Sequence, residues 1–266
     1  MPTILSSNRN PWKIAINPIG YHLSSQRLRH EPVISTTYDH QEWQKKRRFL
    51  RLLMRTIAFT LLVKLDHVEG LENIPAQGPA LVYINHIAFV DPIIAIHVIP
   101  RDIIPMAKIE VYNYPIIGIF PKLWGVIPVR REGFDRRAVQ QALKVLEAGE
   151  IVLVAPEGTR RPALAQAKEG IAYLASRSGI RLIPLAIQDS VGFPALRPAT
   201  RWRGPGAQVK IGKPFRFRSL SKRPSRQELR LMTDEAMYIL AGMVPEHLRG
   251  CYQDLSKATQ ETIEWL

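Results

Sequence analysis

The chain has 266 residues and a mass of 30.3 kDa, is 46% hydrophobic, and carries 37 Lys and Arg against 23 Asp and Glu, a net charge of +14. So apolar a sequence excludes a disordered chain, and its single cysteine, Cys251, excludes an intrachain disulfide framework and a cysteine-based zinc site. The charge excess points to a polyanionic partner, which composition leaves open among nucleic acid, an anionic membrane surface and a phosphorylated small molecule.

Residues 1–40 are rich in Asn, Ser, Pro and His without a period and read as an N-terminal arm. Arg9, Pro11 and Lys13 interrupt the apolar stretch that a secretory signal needs, so none is expected. The next segment, 41–66, reads as an amphipathic helix. From Trp43 to Leu65 it contains neither Gly nor Pro; Leu50, Met54, Ile57 and Leu61 form an apolar stripe, and Arg47, Arg48, Arg51 and Arg55 fall within about a 100° arc. This pattern suits a helix in a membrane interface with its basic arc on anionic headgroups, and suits equally a core helix with a basic exposed face. No segment supplies the roughly 18 uncharged, mostly apolar residues of a spanning helix, so the expectation is a protein that is soluble or lies on a membrane.

Residues 67–266 read as one domain. ALVYI (80–84), EIVLVA (150–155) and LIPLAI (182–187) are short buried strands. Helices fall between them over 92–99, Ala138 to Ala148 before Gly149, and Lys168 to Ser178 before Gly179. The alternation predicts an α/β fold: a single-domain αβ sandwich with a largely buried mixed sheet, preceded by the amphipathic helical segment. QVKI before Gly212 alternates like a further strand, and Ser225 with Glu228 forms a capping box that opens a helix through about Met243. Between Arg197 and Arg230 there are eleven Lys and Arg and one acid, Glu228, which favours an anionic partner for that surface.

The densest chemical cluster is Asn85, His86 and Asp91 in YINHIAFVDP. Asp91 before Pro92 reads as an N-cap with proline at the first helical position, which leaves His86 in the loop at the carboxyl end of a buried strand. A carboxylate folded back onto the imidazole would hold one ring nitrogen as a donor and free the other to take a proton. No Ser or Cys has a matching nucleophile context, so the substrate's own hydroxyl would attack. Read alone, the motif is more often a plain helix cap at Asp91 and a loop histidine at His86. Ala155 to Arg161, APEGTRR, follows another strand and offers a glycine for close approach and a guanidinium to grip a phosphate. Gly125 to Arg131, GVIPVRR, ends in two arginines, and Lys108 in MAKIE is a weaker candidate.

Taken together, N-H-x4-D, G-V-I-P-V-R-R, P-E-G-T-R and Ile183-Pro184, in this order and spacing, resemble the four sequence blocks of the glycerophosphate and 1-acylglycerol-3-phosphate (lysophosphatidate) acyltransferases. The resemblance spans about Val68 to Pro214. It implies an acyl thioester donor, acyl-CoA or acyl carrier protein, and a lysophospholipid hydroxyl acceptor, with His86 as general base oriented by Asp91. It further implies that Arg131, Glu157, Gly158, Thr159, Arg160 and Lys108 bind the acceptor's glycerol phosphate, and that no metal or other cofactor is needed. An anionic membrane surface is the implied partner, at the cytoplasmic face. Ala155 stands where the family often has an aromatic, Arg161 where a small polar residue is usual and Arg130 where an acid is frequent; these departures bear on acceptor identity, for which a lyso-ornithine lipid, a glycolipid or another lysophospholipid is the alternative. A non-enzymatic basic binder of membranes or nucleic acid is the remote reading. No nucleic-acid module is recognisable, GAQVKIGKP (206–214) does not fit a Walker loop, and nucleic acid is not expected as a partner. The run from Tyr114 to Trp124 is a candidate lining for the acyl chain.

Overall fold

Strand β2, Ala80–Ile84, is buried at every position because it lies inside a sheet covered on both faces. The computed structural model describes residues 40–53, 63–115, 118–130, 133–191, 204–218 and 223–266, all within the unit Ile34–Leu266. The arm expected over 1–40 lies almost wholly outside the described residues. In chain order the main elements are α1 (His40–Leu53), β1 (Leu65–Glu69), β2, α2 (Asp91–Val98), β3 (Ile103–Lys108), α3 (Ile119–Trp124), β4 (Ile127–Val129) and α4 (Arg136–Glu147). They continue with β5 (Ile151–Val154), α5 (Gly170–Ser178), β6 (Arg181–Gln188), β7 (Ala207–Ile211), β8 (Phe215–Phe217), α6 (Arg226–Ala241) and β9 (Ile263–Trp265).

The sheet runs β1-β7-β6-β2-β5-β3-β4, with β8 joining β6 and β9. Strands β6, β2, β5, β3 and β4 are mutually parallel; β7 is antiparallel to β6 and parallel to β1, so the sheet is mixed. Side chains alternate between two cores. Val82, Ile84, Leu153, Ile183 and Leu185 share one core with Ile94, Ala95 and Ile96 of α2 and with Trp124. Leu81, Tyr83, Val152 and Leu182 pack with α4, α5 and α6 on the other face. The tyrosine is wholly buried, and its hydroxyl donates to Ala236 O at 2.8 Å, which ties β2 to α6. At the amino end of the parallel strands the Arg101 guanidinium donates to the carbonyls of Pro75, Gly78 and Gly149 at 2.7–3.0 Å, joining the entries to β2 and β5.

The αβ sandwich is as expected from the sequence, and the capping box at Ser225 is formed with both of its bonds. Two expectations need correction. The amphipathic segment is helical from His40 to Leu53, but Val63 and Lys64 are not helical and Leu65 already begins β1; Met54, Arg55, Ile57 and Leu61 lie outside the described residues. The sense of α1 is also different. Arg47 is fully buried with Nε donating to Trp124 O at 2.9 Å, and Arg51 donates to Ile99 O at 2.9 Å and to Asp102 at 3.1 Å. Two arginines of the basic arc therefore satisfy protein acceptors, Leu50 packs beside them, and Phe49 (68% exposed), Leu52 (62%) and Leu53 (44%) face outwards. In the second basic stretch Arg230 is likewise committed to protein, forming a two-pronged pair with Asp234 at 2.7 and 2.9 Å, whereas Lys213, Arg216, Arg218, Arg223 and Arg226 are exposed.

Candidate active site

Because β2, β3, β4, β5 and β6 are parallel, their carboxyl ends share one edge of the sheet, and the segments leaving them carry most of the predicted residues. His86 follows β2, Lys108 ends β3, the stretch Glu157 to Arg160 follows β5, and Asp189 and Ser190 follow β6. Arg131 lies outside the described residues.

His86 Nδ1 is 3.0 Å from Asp91 Oδ2, with the imidazole 17% exposed and the carboxylate 0%. The fold-back expected from N-H-x4-D is therefore formed, but Asp91 is not the N-cap: Val90 is, and Asp91 is the first helical residue. Its carboxylate points back into the loop, where the same Oδ2 accepts from Ile87 N at 2.8 Å and Ala88 N at 2.7 Å. Two backbone donors fix the carboxylate before it meets the imidazole. Asn85 pins the start of the loop to β6, donating to Ile187 O at 2.7 Å and accepting from Ile187 N at 2.8 Å. With the carboxylate ionised, Nδ1 donates to it and Nε2 is left as an acceptor.

Glu157 is buried, and both its oxygens accept from backbone N–H groups: Oε1 from His86 at 3.4 Å and Oε2 from Ala165 at 3.0 Å. Burial raises its pKa from 4.5 to about 7, against the lowering effect of the Ala165 and His86 amides and of the Arg161 charge, while Asp91 adds to the rise. A second tie runs the other way, from Arg161 N to His86 O at 2.9 Å. The P-E-G-T-R turn is thus laced to the histidine loop through main-chain groups. Gly158 sits at φ +70, a left-handed conformation that favours glycine, with the Lys168 side chain over it. The exposed guanidinium of Arg160 lies 6.0 Å from the Phe89 ring, which sets it beside the histidine loop. Thr159 is half-buried in the same turn. Lys108 Nζ lies 5.9 Å from the Tyr114 ring on the neighbouring strand end.

A family model described as Acyltransferase matches residues 67–188, from β1 to the end of β6. Over this stretch the chain is similar to the acyltransferase family. A 1-acyl-sn-glycerol-3-phosphate acyltransferase of Bacillus subtilis is 29% identical over 168 residues, 63% of this chain and 82% of that protein. One of Borreliella burgdorferi is 30% identical over 47% of this chain and 52% of its own length, and a chloroplastic one of Arabidopsis thaliana is 28% identical over 55% and 42%. The chain thus spans about half or less of the last two. The crystal structure of a 1-acyl-sn-glycerophosphate acyltransferase from Thermotoga maritima aligns at a TM-score of 0.48 and 21% identity, over 75% of this chain and 80% of that one.

The acyltransferase match takes in the His86 and Glu157 loops and stops before Ser190, whose Oγ donates to Asp91 Oδ1 at 2.6 Å. Sequence reading missed this residue, although its place just past the carboxyl end of a buried strand was a usable signal. It also missed the C-terminal segment against the second loop: Leu164 N donates to Leu248 O at 2.8 Å, Cys251 N to Leu164 O at 3.0 Å and Arg230 Nη1 to Ala167 O at 2.6 Å.

Proposed function

We propose that the chain transfers a fatty acyl group from an acyl thioester, acyl-CoA or acyl carrier protein, to the sn-2 hydroxyl of 1-acylglycerol 3-phosphate, forming phosphatidate. The observation that carries this reading is the His86–Asp91 pair at 3.0 Å, at the edge of the sheet where the P-E-G-T-R turn also lies. His86 Nε2 takes the proton of the acceptor hydroxyl as its oxygen attacks the thioester carbonyl; the tetrahedral intermediate then expels the thiolate, which takes up the proton held on the imidazole. Asp91 keeps Nδ1 as a donor and offsets the charge of the imidazolium. Arg160 and Thr159, with Lys108 and Arg131, bind the glycerol phosphate, and Gly158 lets the backbone come close to it. Glu157 serves that site by holding the two loops together. The names of the relatives support the choice of acceptor.

The enzyme works on this reading as a peripheral protein of the cytoplasmic membrane face. Among the described residues no helix is long and apolar enough to cross a membrane, and the outward Phe49, Leu52 and Leu53 of α1, flanked by exposed Lys45 and Arg48, suit the bilayer interface. The deciding experiment is His86→Ala assayed with acyl-CoA and acyl carrier protein donors against a panel of lysolipids. The variant should fold and bind vesicles but transfer no acyl group, and wild type should prefer lysophosphatidate. Retained transfer by His86→Ala, or a preference for a phosphate-free acceptor, would sink the proposal.

A further inference from the structure

We propose that Ser190 is a positioning residue for the His86–Asp91 pair, holding the far oxygen of the carboxylate so that the near one is aimed at the imidazole. This rests on the general-base reading of His86. Ser190 is 0% exposed and 99 residues from its partner in sequence, yet its Oγ donates to Asp91 Oδ1 at 2.6 Å. The remaining bonds to this carboxylate, from His86 Nδ1, Ile87 N and Ala88 N, all go to Oδ2. An ionised carboxylate buried at 0% exposure needs acceptor sites filled on both oxygens. Among the described residues Ser190 fills the second.

The local backbone is built to deliver that hydroxyl. Asp189, at φ 57, is the only described residue other than glycine with positive φ, and this left-handed step turns the chain at the end of β6 immediately before Ser190. The paired bonds between Asn85 and Ile187 lock the end of β6 to the start of the histidine loop, so serine and carboxylate are held by the same junction. The ionisable groups facing the pair are few. Among the described residues the β5 loop supplies Glu157, bonded to His86 N, and Arg161, whose charge acts on Glu157, whereas Asp189 at the end of β6 is exposed and accepts from Gln208. All three are common to wild type and to any Ser190 variant, so they cancel in a comparison.

The test compares kcat, KM and the pH dependence of kcat/KM for wild type, Ser190→Ala, Ser190→Cys and Ser190→Thr, with thermal unfolding of each and His86→Ala as reference. Cysteine fills the same space with a weak donor, so it reports on the hydrogen bond even where alanine opens a cavity and fails to fold. Loss of one hydrogen bond to a charged group should lower kcat about tenfold and move the acid limb of the profile up by as much as about one pH unit, with the KM for lysolipid unchanged. The limb moves up because a less solvated carboxylate holds a proton on the pair more tightly. Threonine, which keeps the hydroxyl, should return the limb to its wild-type position. An unmoved limb in Ser190→Cys, or a threonine variant as impaired as the cysteine one, overturns the proposal while leaving the role of His86 intact. Activity surviving in His86→Ala would instead overturn the reading beneath it.

Discussion

Replacing Glu157 by glutamine should uncouple the stability of the fold from pH in a window that can be stated in advance. In the folded chain this carboxyl titrates near 7 rather than 4.5, because burial disfavours its charged form by more than its two backbone donors and Arg161 favour it. Below about pH 4.5 it is protonated in both the folded and the unfolded chain and adds no pH dependence. Between 4.5 and 7 the unfolded chain releases the proton while the folded chain keeps it, so stability falls as pH rises; above 7 both are ionised and the loss is complete. A displacement from 4.5 to about 7 amounts to about 3 kcal/mol. Glutamine cannot ionise, and with one carbonyl oxygen in place of two acceptors it gives up one of the two main-chain bonds at every pH. The assay is urea unfolding of wild type and Glu157→Gln, followed by tryptophan fluorescence at intervals from pH 4.5 to 8. Taking the difference between the two proteins cancels every other titrating group. The variant should gain about 3 kcal/mol relative to wild type across the range, most of it below pH 7. A flat difference, or one that runs the other way, would mean that the Ala165 and His86 amides with Arg161 fully offset burial, and would refute the reasoning.

Three further outcomes follow from the packing. Glu235, 1% exposed, accepts from Thr259 Oγ1, Glu261 N, Thr262 N and Thr262 Oγ1; Glu235→Ala strands these donors and should cost about 3–5 kcal/mol in thermal unfolding while exposing residues 259–266 to protease. Gly250 has φ +52, and a Cβ there would lie 1.9 Å from Leu164 O, so Gly250→Ala must push the loop that follows the P-E-G-T-R turn; a raised KM for the lysolipid acceptor together with a lowered Tm is expected from steady-state kinetics and calorimetry. Phe49→Asp with Leu52→Asp touches only exposed positions and should abolish cosedimentation with anionic vesicles while leaving Tm nearly unchanged; retained binding would place the membrane contact elsewhere.

The parts of the fold that were legible in the sequence are those whose signal is local. The strand ALVYI is an unbroken apolar run, the Ser225 capping box is two residues three apart, and the P-E-G-T-R block is contiguous. What escaped depends on partners far along the chain. A helical wheel of α1 separates an arginine side from an apolar side without saying which meets protein; the Trp124 and Ile99 carbonyls and Asp102 decide it by drawing Arg47 and Arg51 inwards. Strands β8 and β9 have three residues each, too few for a period, and β3 carries a proline at 105. In the candidate site, the pairing of His86 with Asp91 was readable because only four residues separate them, whereas Ser190 reaches Asp91 only through the adjacency of β6 and β2.

The lacing between the histidine loop and the turn after β5 also bears on how the protein breathes. His86 donates to Glu157 and accepts from Arg161, while Glu157 holds Ala165, so the amides of His86, Arg161 and Ala165 belong to one mesh of bonds that cannot open a strand at a time. Release of any one exposes its neighbours. The proton donors of this mesh should therefore exchange with solvent in a single shared event, and the histidine loop and the P-E-G-T-R turn should open and close together.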